Sequence, residues 1–339
     1  MAQVTGTHSR YDLQTKGENV REELANMIDM ISPTETPFQS MIGKETSKNT
    51  VKSWLTDSLA TASTSNAHID GDAFSGDTLE SPARLENHHQ ILRKDIVVTR
   101  RAQTVDQAGT KSELSRQIVK GGMELRRDLE ATLLNNQAAV VGSDSVAPKF
   151  AGVPAWLTTN TDRGTGGTDG TLSSTTYGYA DAAAGDGTVR ALTEDALLGV
   201  VKDCTVAGGR PDCIMVGPTV KQKLSQYLFG ANARIATPYQ DHGKAKQAAS
   251  VVGAVDYYTS DFGTLEIVYN LFQRERDVFV IDKSKWALSH LDKYKTVDMA
   301  KTSDADQKML LTDVTLCSKN EAASGIVADV DETAAVTAS

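Results

Sequence analysis

Two prolines, Pro33 and Pro37, stand between two short apolar turns near the start of this 339-residue chain. The first turn carries Leu24, Met27, Ile28 and Ile31; the second carries Phe38, Met41 and Ile42. Proline lacks an amide hydrogen and pushes the residue before it out of the helical region, so one continuous helix is excluded. The segment reads as an arm of two sticky helical turns with a fixed bend. It runs into a stretch, through Trp54 to Leu59, that is too polar to bury itself. A self-contained enzyme rarely begins this way. A subunit that grips its neighbours often does.

The rest of the composition bounds the answer without deciding it. The chain is long enough for two domains or one large one. Hydrophobic residues at 40% and charged residues at 23% match ordinary globular usage, which excludes wholesale disorder. A net charge of −9 argues against a dedicated nucleic-acid binder, whose footprint is basic. Three cysteines (Cys204, Cys213, Cys317) are odd in number and lack a CxxC spacing, so a disulfide framework is not expected and synthesis in a reducing cytoplasm is. No basic stretch followed by an apolar run opens the chain, so no signal peptide is expected. No window approaches ~20 uninterrupted apolar residues, so neither is a membrane span.

Along the chain, Val51–Thr56 and Gln90–Val98 alternate modestly around a polar middle with Gly71, Gly76 and Pro82. These two stretches read as a long hairpin with a turn-rich tip. A two-stranded hairpin is marginal in water, so something outside the subunit is expected to cover it. Thr110 to Glu113 fits a capping box, and Leu114, Ile118, Gly121, Leu125, Leu129 and Leu133 recur behind it at helical spacing. The pattern predicts one helix over 111–138, about 28 residues and ~42 Å long. The paired Gly121 and Gly122 cost ~2 kcal/mol against alanine, which implies that another backbone crosses there or that the helix bends. Residues 160–190 are nearly all Gly, Thr, Ser, Ala and Asp and read as a long surface insertion. A helix at Glu194–Val206, a strand at Cys213–Val216 and a helix at Thr219–Phe229 follow. Strands at Val251–Tyr258, Thr264–Tyr269 and Val278–Ile281 complete an α/β unit. Strands at Thr296–Met299 and Lys308–Cys317 precede an acidic, small-residue tail.

The chemical motifs weigh less than they first promise. Asp261-Phe262-Gly263 matches the magnesium-binding triplet of kinases, but no Gly-rich loop or His-Arg-Asp loop precedes it, and it reads as a turn. Gly164-Thr165-Gly166-Gly167 lacks the Lys-Ser/Thr of a phosphate loop and reads as flexible backbone. His88 and His89 point to opposite faces of a strand, which suits two contacts better than one metal. Asp57 and Lys94 face each other across the expected hairpin as a surface ion pair worth ~1 kcal/mol at most. Trp54 and Trp156 each need a greasy partner and an acceptor for the indole N–H, so packing is favoured over ligand binding. Arg116, Lys120, Arg126 and Arg127 interleave with Glu113, Glu124, Asp128 and Glu130, the pattern of a solvated helix face. No catalytic, cofactor or metal site assembles.

The chain resembles the major capsid proteins of tailed bacteriophages, with the Hong Kong-type capsid fold shared by herpesvirus shells and encapsulins. The resemblance rests on ordered segments along nearly the whole chain. They are Ile31-Ser32-Pro33-Thr34-Glu35-Thr36-Pro37-Phe38, Trp54-Leu55-Thr56-Asp57-Ser58-Leu59, and Val105-Asp106 leading to Glu124 through Glu130. Gly152-Val153, Trp156 through Asn160, Gly208-Gly209-Arg210-Pro211, Tyr258 through Gly263, Ala300-Lys301-Thr302 and Thr315-Leu316 follow.

This resemblance implies an α+β fold with an N-terminal arm (1–45) and an extended β-hairpin loop (46–100). It further implies a peripheral domain with a spine helix (101–155), an axial domain (190–289) and a return to the peripheral domain (290–330). A polar insertion (156–189), expected to be exposed or to contact a decoration protein, and an acidic tail (331–339) complete the order. Implied partners are copies of the chain in hexamers and pentamers, a scaffolding protein separate from this chain, a portal, and double-stranded DNA held non-specifically. The implied location is the virion, assembled in the bacterial cytoplasm. Ile31, Pro33, Pro37, Phe38, Met41, Trp54, Asp57, Ile91 and Lys94 are the expected inter-subunit contacts. No Lys–Asn cross-link is expected. The alternatives are an encapsulin-like compartment and, in a different class, an enzyme using the 190–285 unit for a nucleotide.

Overall fold

The computed structural model describes residues 32–71, 76, 81–105, 111–173, 178–231, 256–301 and 303–337, with side chains of 228–231 excepted. The arm's first apolar turn with Ile31, and Thr110 of the expected capping box, lie outside the described residues.

The first described elements are a short helix α1 (Pro37–Met41) and strands β1 (Gly43–Thr46), β2 (Val51–Thr56), β3 (Ala83–His88) and β4 (Gln90–Thr99). A helical turn α2 (Arg100–Thr104), the spine helix α3 (Glu113–Leu134) and a second turn α4 (Val153–Trp156) follow. Short strands β5 (Thr161–Asp162), β6 (Thr171–Leu172) and β7 (Ala180–Ala182) lead to α5 (Glu194–Val206), β8 (Cys213–Val216) and α6 (Pro218–Ala231). The chain closes with β9 (Tyr257–Ser260), β10 (Gly263–Tyr269), β11 (Val278–Ile281), β12 (Trp286–Asp298), β13 (Ala305–Ser318) and β14 (Gly325–Val327).

Two sheets organise these elements. The first has the order β1-β12-β13-β4, with β1 parallel to β12 and the other pairs antiparallel. Residues of β4 alternate cleanly: Ile96 and Val98 are buried, whereas Ile91, Arg93, Asp95 and Val97 are exposed. That period of two puts one face of the sheet against α3. There Ile96, Val98 and Leu310 close on Leu125, with Ile118 packed at the margin. The glycine pair now has its cause. A Cβ at Gly121 would stand 3.2 Å from Ile96 Cδ1 and 3.9 Å from Leu310 Cδ1, so the sheet crosses at the glycines. The helix is shorter than the periodicity predicts, 22 residues rather than about 28, because Ser112 caps it by accepting from Ser115 N (3.4 Å). Asn135 is already extended at its other end.

The second sheet has the order β5-β14-β11-β8-β10-β9. Its central strands, Cys-Ile-Met-Val (β8) and Val-Phe-Val-Ile (β11), are buried at every residue. Leu197, Val200, Val201 and Cys204 of α5 and Val220 and Leu224 of α6 complete its core. Thr193 caps α5 by accepting from Ala196 N (3.2 Å). A larger cluster joins the two sheets, with Leu129 and Leu133 of α3, Phe150, Trp156, Met215, Phe279 and Trp286 in contact.

Three expectations are corrected. The partner of β2 is β3, in the register Val51↔His88 to Thr56↔Ala83; Gln90–Thr99 instead pairs with β13. The sequence Ala-Arg-Leu-Glu-Asn-His of β3 has too little apolar content to announce a strand. The stronger alternation of β4 belongs to a strand with a helix on one face. Asp57 and Lys94 therefore do not meet across a hairpin: Lys94 pairs with Asp128 (2.9 Å) and Glu124 (3.9 Å) of α3.

The second correction concerns the glycine-rich insertion, which is packed into the body. Its β5 joins the second sheet beside β14. Buried Asp329, held at φ 61°, accepts from Gly164 N (3.0 Å) and pairs with Arg276. Arg276 also bonds Gly187 O (2.8 Å) and Asp186 (3.2 Å). A side chain at Gly164 would overlap the Thr188 carbonyl oxygen. The glycines serve close packing around a buried charge pair, a need that composition cannot distinguish from flexibility.

The third correction concerns the end of the chain. β14 lies in the second sheet rather than returning to the first, Val336 enters that sheet's core, and Thr337 bridges to Thr193. The stretch 331–337 is a docked strap.

Two glycine substitutions separate these roles. Gly164→Ala is expected to destabilise the subunit by about 3 kcal/mol through overpacking. Gly199→Ala, in α5 with open space around its Cβ position, is expected to stabilise it by about 0.5–1 kcal/mol. Denaturant midpoints of the unassembled protein check both signs.

Candidate subunit interface

The arm enters the body at α1, whose first helical residue is Pro37, where a missing N–H costs nothing. Thr36 makes no side-chain cap. The cap comes from the spine helix instead. Glu130, fully buried, accepts from Phe38 N (2.7 Å) and Gln39 N (3.1 Å), and Asn270 Nδ2 donates to the same carboxylate (2.7 Å). Gln39 Nε2 bonds Arg126 O (2.7 Å), fixing the turn along α3. Burial raises the Glu130 pKa, and its backbone and side-chain donors oppose that shift. The sign follows: a carboxyl whose folded pKa is raised favours the native state in acid and withdraws stability as pH rises through its folded pKa. Phe38 then fills the core between the sheets, worth about 2–3 kcal/mol as burial.

From that anchor β1 leads to the finger, β2 and β3, and to residues 57–71. Its root is tied by several contacts. Trp54 packs on Trp156 with ring centroids 5.6 Å apart. Glu86 N donates to Gly178 O and Gly178 N to Arg84 O, both at 3.1 Å. Asn87, fully buried, donates to Leu316 O (2.8 Å) and accepts from Ala151 N (3.0 Å). Beyond the root, three apolar side chains among the finger's described residues are bare. Leu55 is 69% exposed, Ile69 82% and Leu59 98%.

Beside α1 lies a groove of 840 Å³ between β1, β12 and α3, lined among others by Lys44, Arg126, His290, Lys293 and Tyr294. Glu45, the carboxylate on this lining, is held by Lys319 (2.8 Å) and Lys52 (3.3 Å), whose contacts lower its pKa. The groove's free charge is therefore positive. Burial pushes the Tyr294 phenol up to about 12, and the Arg126 guanidinium stands 5.9 Å from its ring centroid. One molecule thus carries both a bare apolar finger and a cationic groove.

The sequence profile of the SU10 major capsid protein family matches residues 3–331. The chain belongs to the SU10 major capsid protein family. It is 29% identical over 333 residues to the major capsid protein of Escherichia phage Phieco32, covering 89% of this chain and 92% of that one. The cyanophage A-1(L) capsid subunit superimposes with a TM-score of 0.65 at 12% identity, covering 94% of this chain and 99% of that one. The capsid of a native GTA particle gives 0.57 at 11%, with the same coverages. At these identities the structures establish the fold, that of tailed-phage capsid proteins. The chain is a major capsid protein of a tailed phage, and the encapsulin-like alternative is not favoured.

Within this capsid protein the expected contact residues part company. Phe38 is buried in its own subunit, and Met41 and Trp54 pack against the same core. Lys94 is committed to the spine helix. Pro33, Asp57 and Ile91 remain exposed, and Pro37 is half-buried at the head of α1. Leu59 and Ile69, lone apolar residues in a polar stretch and not among the expected contacts, are exposed as well. Glu130 was missed because helical charge periodicity assigned it to the solvated face.

His88 and His89 are both buried, and no cluster suited to a metal occurs among the described residues. Burial pushes the thiols of Cys204, Cys213 and Cys317 up to about 12. Asp261-Phe262-Gly263 turns between β9 and β10, with Gly263 at φ 146°. Among the described residues no helix is long and apolar enough to cross a membrane.

Glu130→Ala is expected to cost about 3 kcal/mol, because it leaves the Phe38, Gln39 and Asn270 donors unpaired in the interior. Chemical denaturation of the unassembled subunit measures the loss, and a change below about 0.5 kcal/mol would contradict the anchor's role.

Proposed function

We propose that copies of this capsid protein close into an icosahedral shell of pentamers and hexamers, with each finger lying over the cationic groove of a neighbouring copy. The observation that carries this reading is the finger's uncovered apolar surface at Leu55, Leu59 and Ile69. Exposed Asp57, just beyond the far end of the β2–β3 pair, and exposed Asp70 supply the negative charge that complements Lys44, Arg126 and Lys293. Obligate contacts of this kind bury about 2,000–5,000 Å², enough to offset the ordering of the finger.

In this reading the sheet carrying the spine helix is the peripheral domain, and the six-stranded unit is the axial domain gathered around the symmetry axes. The shell encloses double-stranded DNA without reading its sequence, and such contacts weaken steeply with salt. A separate scaffolding protein, a portal and a decoration protein are the further partners. Assembly takes place in the bacterial cytoplasm and ends in the virion. The role is structural, with no catalytic step.

The double variant L59D/I69D tests the finger directly. Both side chains face solvent, so the unassembled subunit should keep its stability within about 0.5 kcal/mol. Shells should vanish from electron micrographs and from the fast fraction in sedimentation. Assembly at the wild-type yield would remove the finger from the account.

A further inference from the structure

The finger joins the body at only two chain crossings, residues 47–50 and residue 89, between β1 and β2 and between β3 and β4. Three of the chain's six histidines gather there. His88 ends β3, His89 is the crossing residue, and His290 lies in β12, opposite Thr46 of β1. All three are more than nine-tenths buried.

The local bonds fix their state. The Thr50 carbonyl can only accept, so His89 Nδ1, 3.0 Å away, carries the proton and donates it. Its backbone N–H donates to the same oxygen (3.0 Å). Nε2 of His88, Nε2 of His89 and Nδ1 of His290 are buried with no hydrogen-bond partner among the described residues. The His88 ring stands edge-on to Tyr179 at 5.4 Å, and the His290 ring tilts against Tyr294 at 6.2 Å. The three unpartnered ring nitrogens have no acceptor for a second proton among the described residues.

The surrounding charges make protonation worse. Lys52 on β2 acts on His89, as do His88 and His290, and Lys44 on β1 and Lys293 on β12 act on His290. Arg126 of α3 lines the same groove. Glu45 is committed to Lys52 and Lys319. Glu86, beside His88, is the one carboxylate whose charge favours a protonated ring, and it lies 3.9 Å from Arg84.

We propose that His88, His89 and His290 form an acid-sensitive hinge: neutral, they seat the finger root, and protonated, they release it from the body. The hinge acts on this same finger and so rests on its role as an assembly element, but its test is made on the unassembled chain. Burial holds all three imidazoles below their ordinary range. A released root binds protons more readily than a seated one. The seated state is therefore favoured above about pH 6.5 and loses ground as pH falls from there toward the folded values. The buried carboxyls work the other way. Glu130 is raised by burial, and Asp277 is raised to about 6, so acid favours the native state around them.

Amide hydrogen exchange on the full-length unassembled subunit tests the hinge, with rates corrected for intrinsic pH dependence. Between about pH 7.5 and about pH 5.5, protection at the Glu86 and His89 amides is expected to fall, by at most about tenfold for each histidine released. The Val278–Ile281 amides of β11 should hold. In H88Q/H290Q, which keeps the His89 bond to Thr50, the dependence should shrink to a single histidine's share. H290Q alone should fall between that variant and the wild type. Unchanged protection at Glu86 and His89, an equal loss in β11, or full pH dependence in H88Q/H290Q would each overturn the proposal.

Discussion

A two-stranded ribbon has no second layer to bury against, and in water it holds only where something else holds it. That constraint governs this capsid protein. Its finger is fastened at the root by the Trp54–Trp156 contact, the Gly178 bridge and buried Asn87, and beyond the root it is bare. The remaining fold serves to present that ribbon at a fixed place. The spine helix backs the four-stranded sheet, the sheet carries β1, and Glu130 pins the arm's last turn beside it. A buried carboxylate is costly unless fully bonded, and here backbone and side-chain donors converge on it.

The same logic runs through the polar interior. Asn87, Glu130 and Asp329 each join segments far apart in the chain, and each is fully or almost fully buried. Such groups specify geometry more than they add stability, since a misregistered strand would leave them unbonded. Asp329, with Arg276, binds a stretch rich in glycine at the edge of the six-stranded sheet.

Much of this was legible in the sequence where packing and periodicity agree. The buried strands Cys213–Val216 and Val278–Ile281 and the helix Glu194–Val206 fall at their expected residues, because continuous apolar runs and a capping threonine leave little choice. The spine helix was legible from its leucines, but its length was not, since Ser112 and Asn135 end it without a breaker. The finger's second strand was hidden because Ala83–His88 itself carries little apolar content. The glycine-rich segment misled because close backbone approach and disorder call for the same residues. Glu130 could not be read as buried, because its acceptor role depends on amides some ninety positions away.

The central claim is that a second copy covers the finger. A near-atomic electron-microscopy reconstruction of assembled particles tests it most directly, by showing what lies within contact distance of Leu59. The account predicts side chains from a neighbouring copy, with Lys44, Arg126 and Lys293 nearby. Leu59 facing solvent in the closed shell, or folded back on its own subunit, would contradict it.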